Sequence, residues 1–285
     1  MIEIHPRLMA SVYSGMIEAS TTLSDTNGSC PTEFCTWEPY TTLAVCSSFE
    51  DVSSDIVALG NKSAYGGALM SVTGMKAELP SNIDMIPTFW MAASTAYMNM
   101  TAKNHTGKLS EIYLLYYPVC DELGNDRNNI DSDEWGAQKN DPKNWKAFKA
   151  TMGFCLQTVN STFNTSMETI VTSTEGNLEW VGNPTTPQRP RPTEYCHNGE
   201  GSGGTYCLTE SSIQQFGELL KSVFTGLGSF YGPAQGDNYY RGQWTTQIAS
   251  DIMGNNISKC DLSPSLGFAG FQRRLENVAV AMTNS

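Results

Sequence analysis

The chain has 285 residues and a formal net charge of −12, from 17 Lys and Arg against 29 Asp and Glu. That balance excludes nucleic acid and anionic membrane surfaces as partners, since both call for a basic face. A hydrophobic fraction of 40% supports a real core, while charged residues make up only 16%, below the roughly 25% typical of soluble domains.

Residues 1–20 contain no basic stretch and no apolar run of export-signal length. Instead Leu8, Met9, Val12, Tyr13, Met16 and Ile17 recur at helical spacing and predict an amphipathic helix. Strand-like runs follow at 87–91, 111–117, 154–159 and 167–174. Two segments read as exposed loops: 121–134, with Asp121, Glu122, Asp126, Asp131, Asp133 and Glu134, and 183–193, with Pro184, Pro187, Pro190 and Pro192. Irregular Pro- and Gly-rich chain is expected over about 183–206.

A helix is predicted over 211–224, with Ser211 and Gln214 as a capping box and Gly226 as its stop. A last helix places Phe271, Leu275, Val278 and Met282 on one face, with Arg273 and Arg274 off it. Helices at the ends and strands between them predict an α+β fold. Its expected form is an antiparallel β-rich core with flanking N- and C-terminal helices in one domain, 1–285. The densest apolar stretch, 112–119, contains a proline and is too short for a membrane span.

Eight cysteines occur, at Cys30, Cys35, Cys46, Cys120, Cys155, Cys196, Cys207 and Cys260. No pair has C-x2-C spacing and only His5, His105 and His197 are available as partners, so a disulfide framework is expected rather than a zinc site. Roughly a hundred pairings are open to eight cysteines. Only Cys196–Cys207 is predicted directly, as the closure of a glycine-rich loop, with a further bond expected inside the Cys30, Cys35 and Cys46 group.

N-x-[S/T] sequons begin at Asn27, Asn61, Asn99, Asn104, Asn160, Asn164 and Asn256, against roughly four expected by chance from such a composition. Cysteines and sequons together predict an N-glycosylated, disulfide-bonded domain on the extracellular face of the plasma membrane or in the secretory lumen. Whatever carries it there is expected to lie outside these residues.

No catalytic constellation emerges. Asp131-Ser132-Asp133-Glu134-Trp135-Gly136 begins like a calcium loop but has Trp135 at the fifth position and Pro142 at the twelfth. Gly199, Gly201 and Gly204 spell G-x-G-x-x-G without the strand and helix that a dinucleotide site needs. No serine lies in G-x-S-x-G, and the three histidines read as surface residues. No metal or cofactor is therefore assigned. Glycoside hydrolysis needs only two carboxylates, and Trp90, Trp135, Trp145, Trp180 and Trp244 are candidates to stack on sugars, so a secreted carbohydrate-active enzyme is the alternative reading.

The segment Cys30-Pro31-Thr32-Glu33-Phe34-Cys35-Thr36-Trp37-Glu38-Pro39-Tyr40-Thr41-Thr42-Leu43-Ala44-Val45-Cys46-Ser47-Ser48 resembles the C-x4-C-T-W-x2-[Y/F]-x-[S/T]-L-A-V-C-S signature of a fungal family of multi-pass membrane proteins, catalogued as domain of unknown function 3176. Pro6-Arg7-Leu8 with Ser14-Gly15, Phe154-Cys155-Leu156-Gln157-Thr158-Val159 and the stretch from Leu275 to Asn284 are similar to further parts of that family. The resemblance implies an extracytoplasmic domain held between membrane spans, without established activity or catalytic residues. It also implies cysteines where this chain has Phe49 and Thr151. If those pair in the family, Phe49 and Thr151 are neighbours here. The functional expectation is non-enzymatic recognition or sensing of an unknown extracellular ligand or protein.

Overall fold

The structure is a computed structural model, and it describes residues 6–17, 30, 32–60, 66–80, 85–95, 104–105, 107–117, 141–164, 166–176, 178–183, 194–199, 204–231, 240–242 and 265–283. Helix α1 (Pro6–Ile17) opens the chain. Strands β1 (Phe34–Thr36), β2 (Tyr40–Asp51), β3 (Ile56–Ala58), β4 (Gly66–Val72), β5 (Met75–Pro80), β6 (Met85–Thr95), β7 (Asn104–His105), β8 (Lys108–Tyr116), β9 (Lys146–Asn164), β10 (Ser166–Glu175), β11 (Trp180–Asn183), β12 (Glu194–Asn198) and β13 (Thr205–Thr209) follow. Helix α2 (Glu210–Val223), β14 (Gly226–Tyr231), β15 (Tyr240–Gly242) and helix α3 (Ser265–Thr283) complete it. The fold is β-rich and antiparallel with helices toward the ends, the predicted α+β class.

The 19-residue β9 is the spine of an eight-stranded sheet. Along one edge it pairs first with β2 and then with β1; along the other, first with β8 and then with β10. From β8 the sheet continues through β6 and β14 to β15. A second sheet runs β13-β12-β11-β7 and a third β3-β4-β5.

Both faces of the large sheet are covered around β8, and side-chain alternation sorts β8 between them. Ile112, Leu114 and Tyr116 join the larger core with Phe148, Ala150, Met152, Val45 and the helical residues Ile213, Leu220, Phe271 and Val278. Tyr113, Leu115 and Tyr117 face the other way, into a smaller core with Ala147, Trp145 and Val52 and with Ile56, Met70, Val72 and Ala77 of the three-stranded sheet. Two-sided burial explains why 111–117 reads as a continuous apolar run.

Helix α3 packs against β2 and α1, with Phe271 edge-on to Phe49 at 6.4 Å. Its Thr283 Oγ1 accepts the Val45 N–H at 2.9 Å, meeting a donor that the outer edge of β2 leaves open. Gly15 lets α1 approach closely, since a Cβ there would lie 2.7 Å from the Asn277 carbonyl oxygen. Packed on two sides, α3 buries more than its apolar stripe: Arg274, predicted off the buried face, is only 4% exposed, while Arg273 is exposed as expected. Burial pulls the Arg274 guanidinium below the ordinary arginine range.

Several expectations change. Helix α2 starts one residue early and is capped by Thr209, whose Oγ1 accepts the Ser212 N–H at 3.2 Å, so the Ser211–Gln214 capping box is not formed. Gln214 instead donates to Glu210. Gly226 starts β14 rather than ending the helix. The segment 183–206 is not irregular throughout: Asn183 closes β11, and β12 and β13 form a hairpin because Tyr195 and Leu208 are buried in the larger core. Residues 184–193 and 121–134 lie outside the described residues.

Candidate functional site

Three disulfides hold described segments together. Cys196 and Cys207 stand directly opposite in the β12–β13 register with Cα atoms 4.1 Å apart, the predicted pair. Gly199 N–H bonds to the Gly204 carbonyl at 3.3 Å at the end of the same antiparallel pair, so these two motif glycines flank two paired strands and not a phosphate-binding strand-to-helix turn. Cys30–Cys35 closes a short loop onto the middle residue of β1 and is the bond expected within the first cysteine group. Cys46, the third member of that group, crosses from β2 to Cys155 on β9 with Cα atoms 5.9 Å apart. No local spacing signals that pair. Cys120 and Cys260 lie outside the described residues.

Phe49 and Thr151 also lie on β2 and β9, but Phe49 pairs with Ala150 and Thr151 with Ser48. They are adjacent on neighbouring strands and face opposite sides of the sheet. Cysteines at these two positions would point away from each other in this register.

Beside the Cys46–Cys155 bond, on the face away from the helices, a charged ladder crosses three strands. Lys149 Nζ meets Glu50 at 2.5 Å and Lys108 Nζ meets Glu111 at 2.8 Å, with the Tyr113 hydroxyl donating to Glu111 at 3.2 Å. Burial pushes the Glu111 carboxyl up, but the Lys108 hydrogen bond and charge, aided by Tyr113 and Lys149, outweigh it and hold the group below the usual carboxylate range. A general acid in glycoside hydrolysis requires the opposite shift. The Glu50 hydrogen bond raises Lys149, against a smaller opposing effect of burial. Tyr116 is pushed far up by burial, with the Asp51 charge adding to it.

Of the tryptophans considered for sugar stacking, Trp145 and Trp180 are buried and Trp90 is half-buried against the smaller core. Trp135 and Trp244 lie outside the described residues. Trp180 packs edge-on to Phe154 and against Gly107, which has φ +70 and no room for a Cβ beside the indole. His197 directs Nδ1 to the Glu179 carbonyl at 3.0 Å and packs its ring near Trp180, a structural setting. His105 lies on β7, and His5 outside the described residues. Glu194, Cys196 and Cys207 bring ligand-type atoms together, but both sulfurs are committed to a disulfide, which removes them as metal ligands. The calcium-like loop at 131–136 lies outside the described residues.

Asn160 is an exposed residue of β9, and the register sets it directly opposite Ile170 of β10. Asn164 stands four residues on in the same strand, opposite Phe34 of β1. Asn104 falls in β7, while Asn27, Asn61, Asn99 and Asn256 lie outside the described residues. Sequence reading found the sequons but not their apolar partners, because pairing between strands carries no local signal.

Fold and cross-links together define a disulfide-stapled, β-rich α+β protein, compatible with an oxidising extracellular or secretory environment. Comparison with family models, with curated proteins and with solved structures finds no match. No described helix is long and apolar enough to cross a membrane.

Proposed function

We propose that this chain is an N-glycosylated extracytoplasmic domain of a fungal membrane protein, of the family catalogued as domain of unknown function 3176, and that it recognises an extracellular ligand or protein without catalysis. The observation that carries the compartment is the Cys46–Cys155 bond, in which Cys155 is buried in the central strand of the sheet and linked across 109 residues of sequence. A framework that ties the spine of the fold to its neighbour in this way suits an oxidising compartment. The family rests on the Cys30-to-Ser48 string, which runs through the first disulfide and along most of β2.

The recognition role is supported by the chemistry of the two ladder carboxylates: Glu50 and Glu111 are each engaged by a lysine, and Glu111 is held ionised rather than poised to give up a proton at neutral pH. A thermal-shift screen of the secreted protein against a glycan and small-ligand collection tests this reading, because a ligand of the native state raises its apparent melting temperature. The expected result is a hit that is recovered unchanged after incubation. Turnover of a hit would overturn the non-enzymatic role.

A further inference from the structure

Large apolar side chains exposed on a strand are ordinary when scattered singly. Here two of them, Ile170 at 54% and Phe34 at 59% exposure, are the register partners of the two sequon asparagines of β9. Ile170 comes from β10 on one edge of the spine and Phe34 from β1 on the other. The rest of β10 from Thr172 to Glu175 is exposed and polar, so Ile170 does not continue an apolar strip along that strand. A register shift between Val171 and Ser173, with Thr172 Oγ1 donating to the Thr158 carbonyl at 3.1 Å, fixes the alignment that sets Ile170 opposite Asn160.

Directly opposed residues of an antiparallel pair share a face with Cβ atoms about 5 Å apart. An N-acetylglucosamine on the Asn160 amide nitrogen therefore starts within reach of the Ile170 side chain. The less polar face of its ring can remove apolar surface from water that the protein itself leaves uncovered.

We infer that Asn160 carries an N-glycan whose first N-acetylglucosamine lies over Ile170, so that the sugar completes the outer surface of the β9–β10 pair. This rests on the secretory reading proposed above. The donor is a lipid pyrophosphate-linked oligosaccharide. The Asn160 amide nitrogen loses a proton and bonds to the anomeric carbon, while the bond from that carbon to the pyrophosphate oxygen breaks and the lipid pyrophosphate leaves. Thr162 supplies the hydroxyl residue of the Asn160-Ser161-Thr162 acceptor. Transfer to the chain before it folds makes the strand position no obstacle.

The test is a double-mutant cycle on the full chain secreted from a eukaryotic host and trimmed with an endoglycosidase that leaves one sugar per site. Glycopeptide mass spectrometry should find Asn160 occupied. N160Q should lower the melting temperature by about 2 °C in the wild-type background and by much less in an I170S background, since coupling marks direct contact. Both positions are exposed, so neither variant threatens folding. An unoccupied Asn160 in a chain glycosylated at other sequons would overturn this inference and leave the secretory reading intact. Equal effects of N160Q in both backgrounds would overturn the contact. A chain with no occupied sequon and with free thiols would overturn the secretory reading as well.

Discussion

Cys46 and Cys155 are joined diagonally across two paired strands: Cys46 stands opposite Gly153, and Cys155 opposite Ala44. The bond therefore locks the register of β2 on β9 as well as the chain topology. A one-residue slip would turn Leu43, Val45 and Phe49 away from the helices. In the loop-entropy account the three cross-links rank by the chain they close, 109, 11 and 5 residues, giving about 5, 3 and 2 kcal/mol. Paired Cys-to-Ala replacement followed by denaturant unfolding should reproduce that order. A Cys46/Cys155 variant no less stable than a Cys196/Cys207 variant would contradict it.

Gly107 terminates the pairing of β8 with β9. Its carbonyl accepts the Phe154 N–H at 2.9 Å, and its φ of +70 belongs to the left-handed region. Gly107→Ala would strain the backbone and drive a methyl into the buried Trp180 indole. A loss of about 2–4 kcal/mol is expected, together with a changed tryptophan emission as the indole shifts. Wild-type stability with unchanged emission would show that Trp180 does not pack as described.

Gly15→Ala separates propensity from packing. In an exposed helix the change stabilises by up to about 1 kcal/mol, but here the added methyl meets the α3 backbone at Asn277 and Val278. Chemical denaturation should show a net loss of about 1–3 kcal/mol, and a gain would mean that α1 does not sit tightly on α3.

The ladder of Glu50, Lys149, Glu111 and Lys108 gives a pH signature of known sign. Glu111 is held below its ordinary range, so its contribution is present above the unfolded value and fades as pH falls through the lower folded value. Lys149 is held above its ordinary range, so its contribution is present below the unfolded value and fades as pH rises through the higher folded value. At neutral pH, Glu111→Gln and Lys149→Met should each cost about 0.5–1 kcal/mol, given the partial exposure of the pairs. The first difference should begin to close below about pH 4 and the second to begin to close above about pH 10.5, each vanishing past the shifted folded value. Urea titrations across this range would refute the ladder if either difference were constant.

Local patterns exposed much of this fold. The apolar spacing of Leu8 and Val12, of Ile213 and Leu220, and of Phe271 and Val278 fixes three helices, and the runs around 87–91, 111–117, 154–159 and 167–174 all lie in strands apart from the terminal Tyr117. What stayed hidden depends on contacts distant in sequence. β2 was not among the predicted strands, and the three-stranded sheet of β3, β4 and β5 is short and turn-rich. Arg274 is buried although it lies off the apolar stripe of α3, a helix packed on both α1 and β2, and no single-helix pattern contains those contacts. The Cys196–Cys207 bond was legible because it closes a hairpin. Cys46–Cys155 and the Asn160–Ile170 pairing were not, because strand register is set by the whole sheet.

The central claim is that this framework forms in an oxidising compartment. Non-reducing peptide mapping of the chain from its native cells, with thiols blocked at lysis, tests it most directly. Linked peptides for Cys30–Cys35, Cys46–Cys155 and Cys196–Cys207, with none of the six carrying the blocking group, are the predicted result. Blocked Cys46 and Cys155 in the folded, native chain would contradict it.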